Sequence, residues 1–148
     1  MTAGLDAEAG RGIFVGETFS RTLALDAAAI SAFAQSTGDT NPLHHDAAFA
    51  AATRFGGIIA SGSHVSALLL GMLAGHFAGK GTNVGLDFSV RFRAAVPVDQ
   101  SITMRWTVTE RTAKASLKGD IVTLEGEIVL SDGTLAVTGT AHAAIFDD

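Results

Sequence analysis

The sequence predicts an α+β fold: a single domain in which a curved antiparallel sheet wraps a long central helix, with a helical overhang before that helix. Three observations carry this. Residues 81–148 hold segments whose apolar side chains recur with a period of two. A stretch from about Ser61 to Gly79 is apolar on almost every side, which marks a helix buried on most of its faces. An Ala-rich helical insert separates that helix from a lone first strand, so helices and strands are segregated along the chain.

Each element has its own signal. In "ETFSRTLALD", Phe19, Arg21, Leu23 and Leu25 alternate with Thr18, Ser20, Thr22 and Ala24, giving a strand. Asp26 then stands where an N-cap belongs. It opens a helix with Ile30, Phe33 and Ala34 on one face, and Gly38 stops it. Asp46 is a second N-cap, opening a short helix "AAFAAATRFGG" that runs to its glycines. The central helix follows, with Val65, Leu68, Leu69, Leu70, Met72, Leu73 and Phe77 leaving no polar stripe. Beyond it, Leu86, Phe88, Val90 and Phe92 oppose Asp87, Ser89, Arg91 and Arg93. Ile102, Met104, Trp106 and Val108 oppose Thr103, Arg105, Thr107 and Thr109. Two last strands, "IVTLEGEIVL" and "LAVTGTAHAAIF", are joined by the hairpin signal "SDGT". A sheet with one apolar face needs cover, and the central helix supplies it. This element order is that of the hot-dog architecture.

Composition narrows the function classes. A length of 148 residues fits one domain over 1–148, with residues 1–12 expected as a flexible tail. Hydrophobic residues make up 47% and charged residues only 17%, so some apolar surface is expected to be covered by a second copy in a homo-oligomer. The net charge of −5 argues against a nucleic-acid-binding face. With no cysteine there are no disulfides and no thiolate chemistry, and with no tyrosine no phenol serves as a catalytic acid. No basic start followed by an apolar run opens the chain. The most apolar stretch, Val65 to Ala78, is short and broken by Gly71, Gly75 and His76, too punctuated for a membrane span. A cytoplasmic setting away from membranes is expected.

The polar chemistry is concentrated in "GDTNPLHHD", residues 38–46. Asp39 and His44 are five apart, a spacing that does not align side chains on a regular helix, and Pro42 biases Asn41 to an extended backbone. A shaped loop of this kind can aim an acid and an imidazole at one water, which makes a general acid/base pair. Just downstream, "GGIIASGSHVS" leads through small residues into the central helix. The first N–H groups of a helix lack internal acceptors and carry partial positive charge. Gly62 therefore marks a place where a carbonyl oxygen can approach bare backbone donors.

The run "GDTNPLHHDAAFAAATRFGGIIASG" resembles the hydratase motif of the MaoC-like (R)-specific enoyl-CoA hydratases and acyl dehydratases. The resemblance implies a hot-dog fold and reversible syn addition of water to a trans-2-enoyl thioester, carried on CoA or an acyl-carrier protein. It implies Asp39 and His44 as the catalytic pair, Gly62 as the oxyanion-hole residue and Asn41 as the residue that shapes the loop. It implies no metal or redox cofactor, and a homodimer. Two departures concern the pocket. Ser63 stands where related dehydratases place Trp, which is expected to widen the mouth, and His64 is a candidate pocket-lining residue.

Other polar residues carry weaker expectations. His44 and His45 point apart in extended chain, and without a ligand spacing such as H-E-x-x-H no metal site is expected. His45 is expected to be exposed, Asp46 to cap, and His76 and His142 to be structural. Arg54, Lys80, Arg91, Arg93, Arg111, Lys114 and Lys118 are candidate contacts to CoA phosphates. Two other readings stay open: a hot-dog acyl-CoA thioesterase and a non-catalytic acyl-thioester-binding subunit. The central helix contains no acid, unlike the thioesterases this fold resembles.

Overall fold

The computed structural model describes residues 12–148. The expected tail, apart from Gly12, lies outside the described residues. The strands are β1 (Thr18–Ala24), β2 (Asn83–Phe92), β3 (Ser101–Lys114), β4 (Gly119–Leu130) and β5 (Leu135–Phe146). They form one antiparallel sheet in the order β1-β3-β4-β5-β2. Helices α1 (Ala27–Ser36), α2 (Ala47–Ala51) and α3 (Gly62–Phe77) all lie between β1 and β2 in the chain. The elements thus follow the predicted order. The short helix α2 ends sooner than its sequence suggested. Thr53 turns back at that point, its Oγ1 donating to the Ala50 carbonyl at 2.7 Å.

Alternation delivers the core. Ile102, Met104, Trp106 and Val108 of β3 are all buried, as are Val122, Leu124 and Ile128 of β4. They close on Val65, Leu69, Leu73 and Phe77, which recur every fourth residue along α3. The only tryptophan, Trp106, is the key piece of this contact. Its Nε1–H donates to the Leu69 carbonyl at 2.9 Å, in the middle of α3. Room for the ring comes from the neighbouring strand, where Gly126 pairs with Trp106 and in turn with Gly139. A Cβ at position 126 would stand 2.7 Å from the indole. A Cβ at 139 would meet the Phe88 ring at 2.9 Å.

Two expectations need correcting. The central helix is not buried on most sides. Five strands cover only the stripe just named, and Leu70, Gly71, Ala74 and Gly75 are exposed, Leu70 by 38%. In β2, Phe88 and Val90 pack against the core, but Leu86 is 51% exposed and Phe92 also faces solvent. The reason is local: β2 is an edge strand with a register shift between Gly85 and Asp87.

The Trp106–Gly126 fit generates a stability prediction. Gly126→Ala is expected to cost about 1–3 kcal/mol by overpacking. In Trp106→Phe the smaller ring frees that space, so the double variant should lose less than the sum of the single losses. Urea unfolding of the three variants measures this. Strictly additive losses would show that the two positions do not compete for one volume.

Candidate active site

The loop after α1 is built by side chains bonding to nearby backbone. Gly38 adopts φ +77° and ends the helix. Asp39 N–H donates to the Ala34 carbonyl at 2.9 Å. Asp39 Oδ1 accepts the Asn41 N–H at 3.0 Å, and Asn41 Oδ1 accepts the Leu43 N–H at 3.1 Å. These two contacts are Asx turns. They start the single 3₁₀ turn Pro42–His44, with Pro42 at its first position. Asn41 thus stands as the N-cap of this turn.

His44 is buried and locked in one orientation. Its Nδ1 lies 2.7 Å from the Ile59 carbonyl. A carbonyl can only accept, so Nδ1 carries the proton and the neutral ring presents the Nε2 lone pair. That nitrogen stands 3.4 Å from Asp39 Oδ2. Two acceptor atoms therefore face one another, a geometry suited to a water that donates one hydrogen to each. The Asp39 side chain is 32% exposed, so water reaches it.

The segment that orients His44 also feeds α3. Ile59 N–H donates to the Leu43 carbonyl at 3.3 Å, and Ala60 N–H to the Val96 carbonyl at 2.9 Å. Ser61 then caps the helix, its Oγ accepting the His64 N–H at 3.2 Å. The cap serves the third residue, which leaves the Gly62 and Ser63 N–H groups without acceptors inside the helix. Gly62 and His44 line one cavity of about 410 Å³, with Asn41, Val65, Phe55 and Phe92 among its other walls. A Cβ at position 62 would lie 2.9 Å from the tip of the Phe92 ring, so a side chain here would push that exposed ring aside. Asp39 borders a second opening of about 440 Å³ with Ser31 and His45. The 3.4 Å approach of Asp39 to His44 links the two linings.

Other predicted residues fall elsewhere. Ser63 is exposed, with its Oγ 3.2 Å from Ser61 Oγ, and lies outside the cavity wall. His64 is buried and stacked on Phe33 with ring centroids 4.4 Å apart, so it packs into the interior instead of lining the cavity. Its Nδ1 is buried without a hydrogen-bond partner. His45 is not exposed: it is half-buried, with one ring nitrogen 2.7 Å from the Asp39 carbonyl and the other 2.7 Å from Ser31 Oγ. Asp46 does cap α2, accepting the Phe49 N–H at 3.0 Å. His76 pairs with Glu17 at 2.8 Å, and His142 pairs with Asp87.

Among the cations proposed for phosphates, Arg111 is committed elsewhere. It is buried against Asp120 at 3.0 Å and donates to the Ile13 carbonyl. Lys80 donates to the Gly12 carbonyl and lies 3.6 Å from Glu17. Arg93 is on the cavity wall, its Nε held by Thr138 Oγ1 at 3.2 Å. Phe55 and Phe92 were not singled out as walls from sequence. Neither position carries a periodic or motif signal for a cavity formed between the loop and an edge strand.

His64 sets a pH dependence. Burial, and secondly the nearby His44, hold its pKa below the usual 6.5. The unfolded chain then binds more protons than the folded one just below that pH. The stability His64 contributes is complete above about pH 6.5 and falls as the pH drops toward its folded pKa. Urea unfolding between pH 7.5 and 5 should show this slope, and His64→Phe should remove that part of it. An unchanged slope in the variant would assign the titration to other groups.

Similar proteins share the sequence and the fold. The chain is 37% identical over 129 residues to the (R)-specific enoyl-CoA hydratase of Aeromonas caviae, covering 86% of this chain and 91% of that protein. It is 34% identical over 106 residues to the 3-hydroxybutyryl-CoA dehydratase of Methylorubrum extorquens, covering 66% of this chain and 67% of the relative. The solved (R)-hydratase from A. caviae involved in PHA biosynthesis superposes with a TM-score of 0.80 at 34% identity, covering 91% of this chain and 98% of that one. The five-stranded antiparallel sheet around α3 is accordingly a hot-dog fold. The family model described as MaoC like domain matches residues 15–129, and the chain belongs to the MaoC-like family.

Proposed function

We propose that the protein is a hydro-lyase that adds water reversibly to a trans-2-enoyl-CoA, giving an (R)-3-hydroxyacyl-CoA. One observation carries the reading: His44 Nε2 and Asp39 Oδ2 face each other at 3.4 Å, beside the cavity that Gly62 lines. The names of the two curated relatives, a hydratase and a dehydratase of CoA thioesters, point the same way.

In the proposed reaction a water donates to His44 Nε2 and Asp39 Oδ2, so its oxygen lone pair is free to attack. As the new C–O bond forms at C3, one water proton passes to the pair. The C2–C3 double bond shifts toward the thioester, whose oxygen gains negative charge. The Gly62 N–H, at the positive end of α3, stabilises that oxygen. The pair then returns a proton to C2 on the same face, which completes syn addition and regenerates the enzyme. No step needs a metal or redox cofactor. Arg93, on the cavity wall, is the cation proposed to meet an incoming CoA.

A homodimer is part of this proposal. β2 is an edge strand that exposes Val84 and Leu86, next in the chain to the exposed small-residue side of α3. Pairing two β2 strands edge to edge covers both features with one contact. A thioesterase reading finds less support, because α3 carries no acid. A pure binder would not need an acid and an imidazole aligned on one point.

Incubation with enoyl-CoA thioesters of varied length separates these readings. Hydration bleaches the conjugated enoyl band without releasing thiol; thioester hydrolysis releases thiol; binding alone does neither. Asp39→Asn and His44→Ala are each expected to lower kcat by about 10²–10⁴ while leaving the fold intact. Near-wild-type turnover by both variants would sink the mechanism. For assembly, light scattering should report a dimer, and Leu86→Arg should shift it toward monomer. A monomeric wild type at micromolar concentration would refute the pairing.

A further inference from the structure

We infer that His45, backed by Ser31, is a positioning residue that fixes the backbone of Asp39. The inference rests on the hydratase reading for its effect on turnover, but its geometry stands apart from it. The two adjacent histidines turn away from each other, their rings 6.4 Å apart and inclined by 77°. His44 faces the carboxylate of Asp39, whereas His45 holds the carbonyl of the same residue. His45 thus holds the main chain of Asp39, while Oδ2 stays open toward His44.

The proton positions follow from the partners. The Asp39 carbonyl only accepts, so His45 Nε2 carries the hydrogen of the 2.7 Å bond. In the neutral ring Nδ1 is then an acceptor, and the Ser31 hydroxyl donates to it at 2.7 Å. Ser31 lies on α1, so the chain of bonds ties the loop carbonyl to a capped helix. This tie matters because the Asp39 peptide plane sets the Asx turn. Asp39 Oδ1 accepts from Asn41 N–H only while that plane keeps its orientation. Loss of the carbonyl's partner frees the plane, releases Oδ1 and lets Oδ2 drift from His44. A displacement near 1 Å at a reacting group costs as much as about 10² in rate.

Three variants test the role. His45→Leu removes the donor, His45→Gln retains an N–H donor, and Ser31→Ala removes the support behind the ring. On an accepted enoyl-CoA, His45→Leu should lower kcat about tenfold or more with KM changed less than about twofold. His45→Gln should recover most of the loss, and Ser31→Ala should have little effect once Leu occupies position 45. Hydrogen exchange gives a readout independent of turnover: the Asp39 and Asn41 amides should exchange about tenfold faster in His45→Leu than in wild type. A kcat within twofold of wild type, a loss carried by KM alone, or no rescue by Gln would overturn the role. If wild type converts no enoyl thioester, the hydratase reading fails, and the exchange measurement still decides the positioning claim. Unchanged exchange overturns it in either case.

Discussion

The fold turns on the contact between Trp106 and the middle of α3. An apolar helix of 16 residues has to be covered on at least one side, and a flat sheet would touch it along a line. The large indole on β3 fills the gap instead, and its N–H finds the Leu69 carbonyl. Gly126 on the next strand gives up its side chain to make the space, and Gly139 beside it leaves room for Phe88. Burying the ring without its N–H partner would leave a polar group unpaired in the core. Helix position and sheet shape are therefore set together.

That constraint reaches the candidate site through α3. With the helix held at Leu69, its first turn has a defined place, and the segment Ile58–Ala60 runs into it. This segment is pinned on one side by Val96 and on the other by Leu43 of the polar loop. The Ile59 carbonyl in the same segment orients His44. One short stretch of extended chain thus sets the approach of the imidazole and the origin of the helix dipole. In the proposed mechanism the acid and base come from a loop and the donor from a helix end, and a shared strand-like segment joins them.

The loop itself has little regular structure to lean on. Its conformation comes from polar side chains folded back on the backbone: Asp39, Asn41, Ser31 and His45. Such contacts are individually worth about 0.5–1.5 kcal/mol, but they act on adjacent peptide planes. The density of polar residues in this stretch thus serves two purposes. In the proposed reaction some groups face the reacting atoms, and others keep those groups aimed.

Much of this was readable from the linear sequence. Period-two alternation identified the β3 faces, because neighbouring positions on a strand must point to opposite sides. Asp26, Asp46 and Ser61 announced helix starts, because a cap bonds within three residues of itself. The spacing of Asp39, Asn41, Pro42 and His44 indicated a shaped loop for the same local reason. Tertiary structure alone decided the rest. Whether α3 is buried all round depends on how many strands reach it, and five leave one side open. His64 packs on Phe33 and His45 grips Asp39 because the fold brings α1 beside the loop and the start of α3. No periodicity encodes those meetings: Ser31 and His45 are 14 positions apart, and the geometry exists only once the helices are packed.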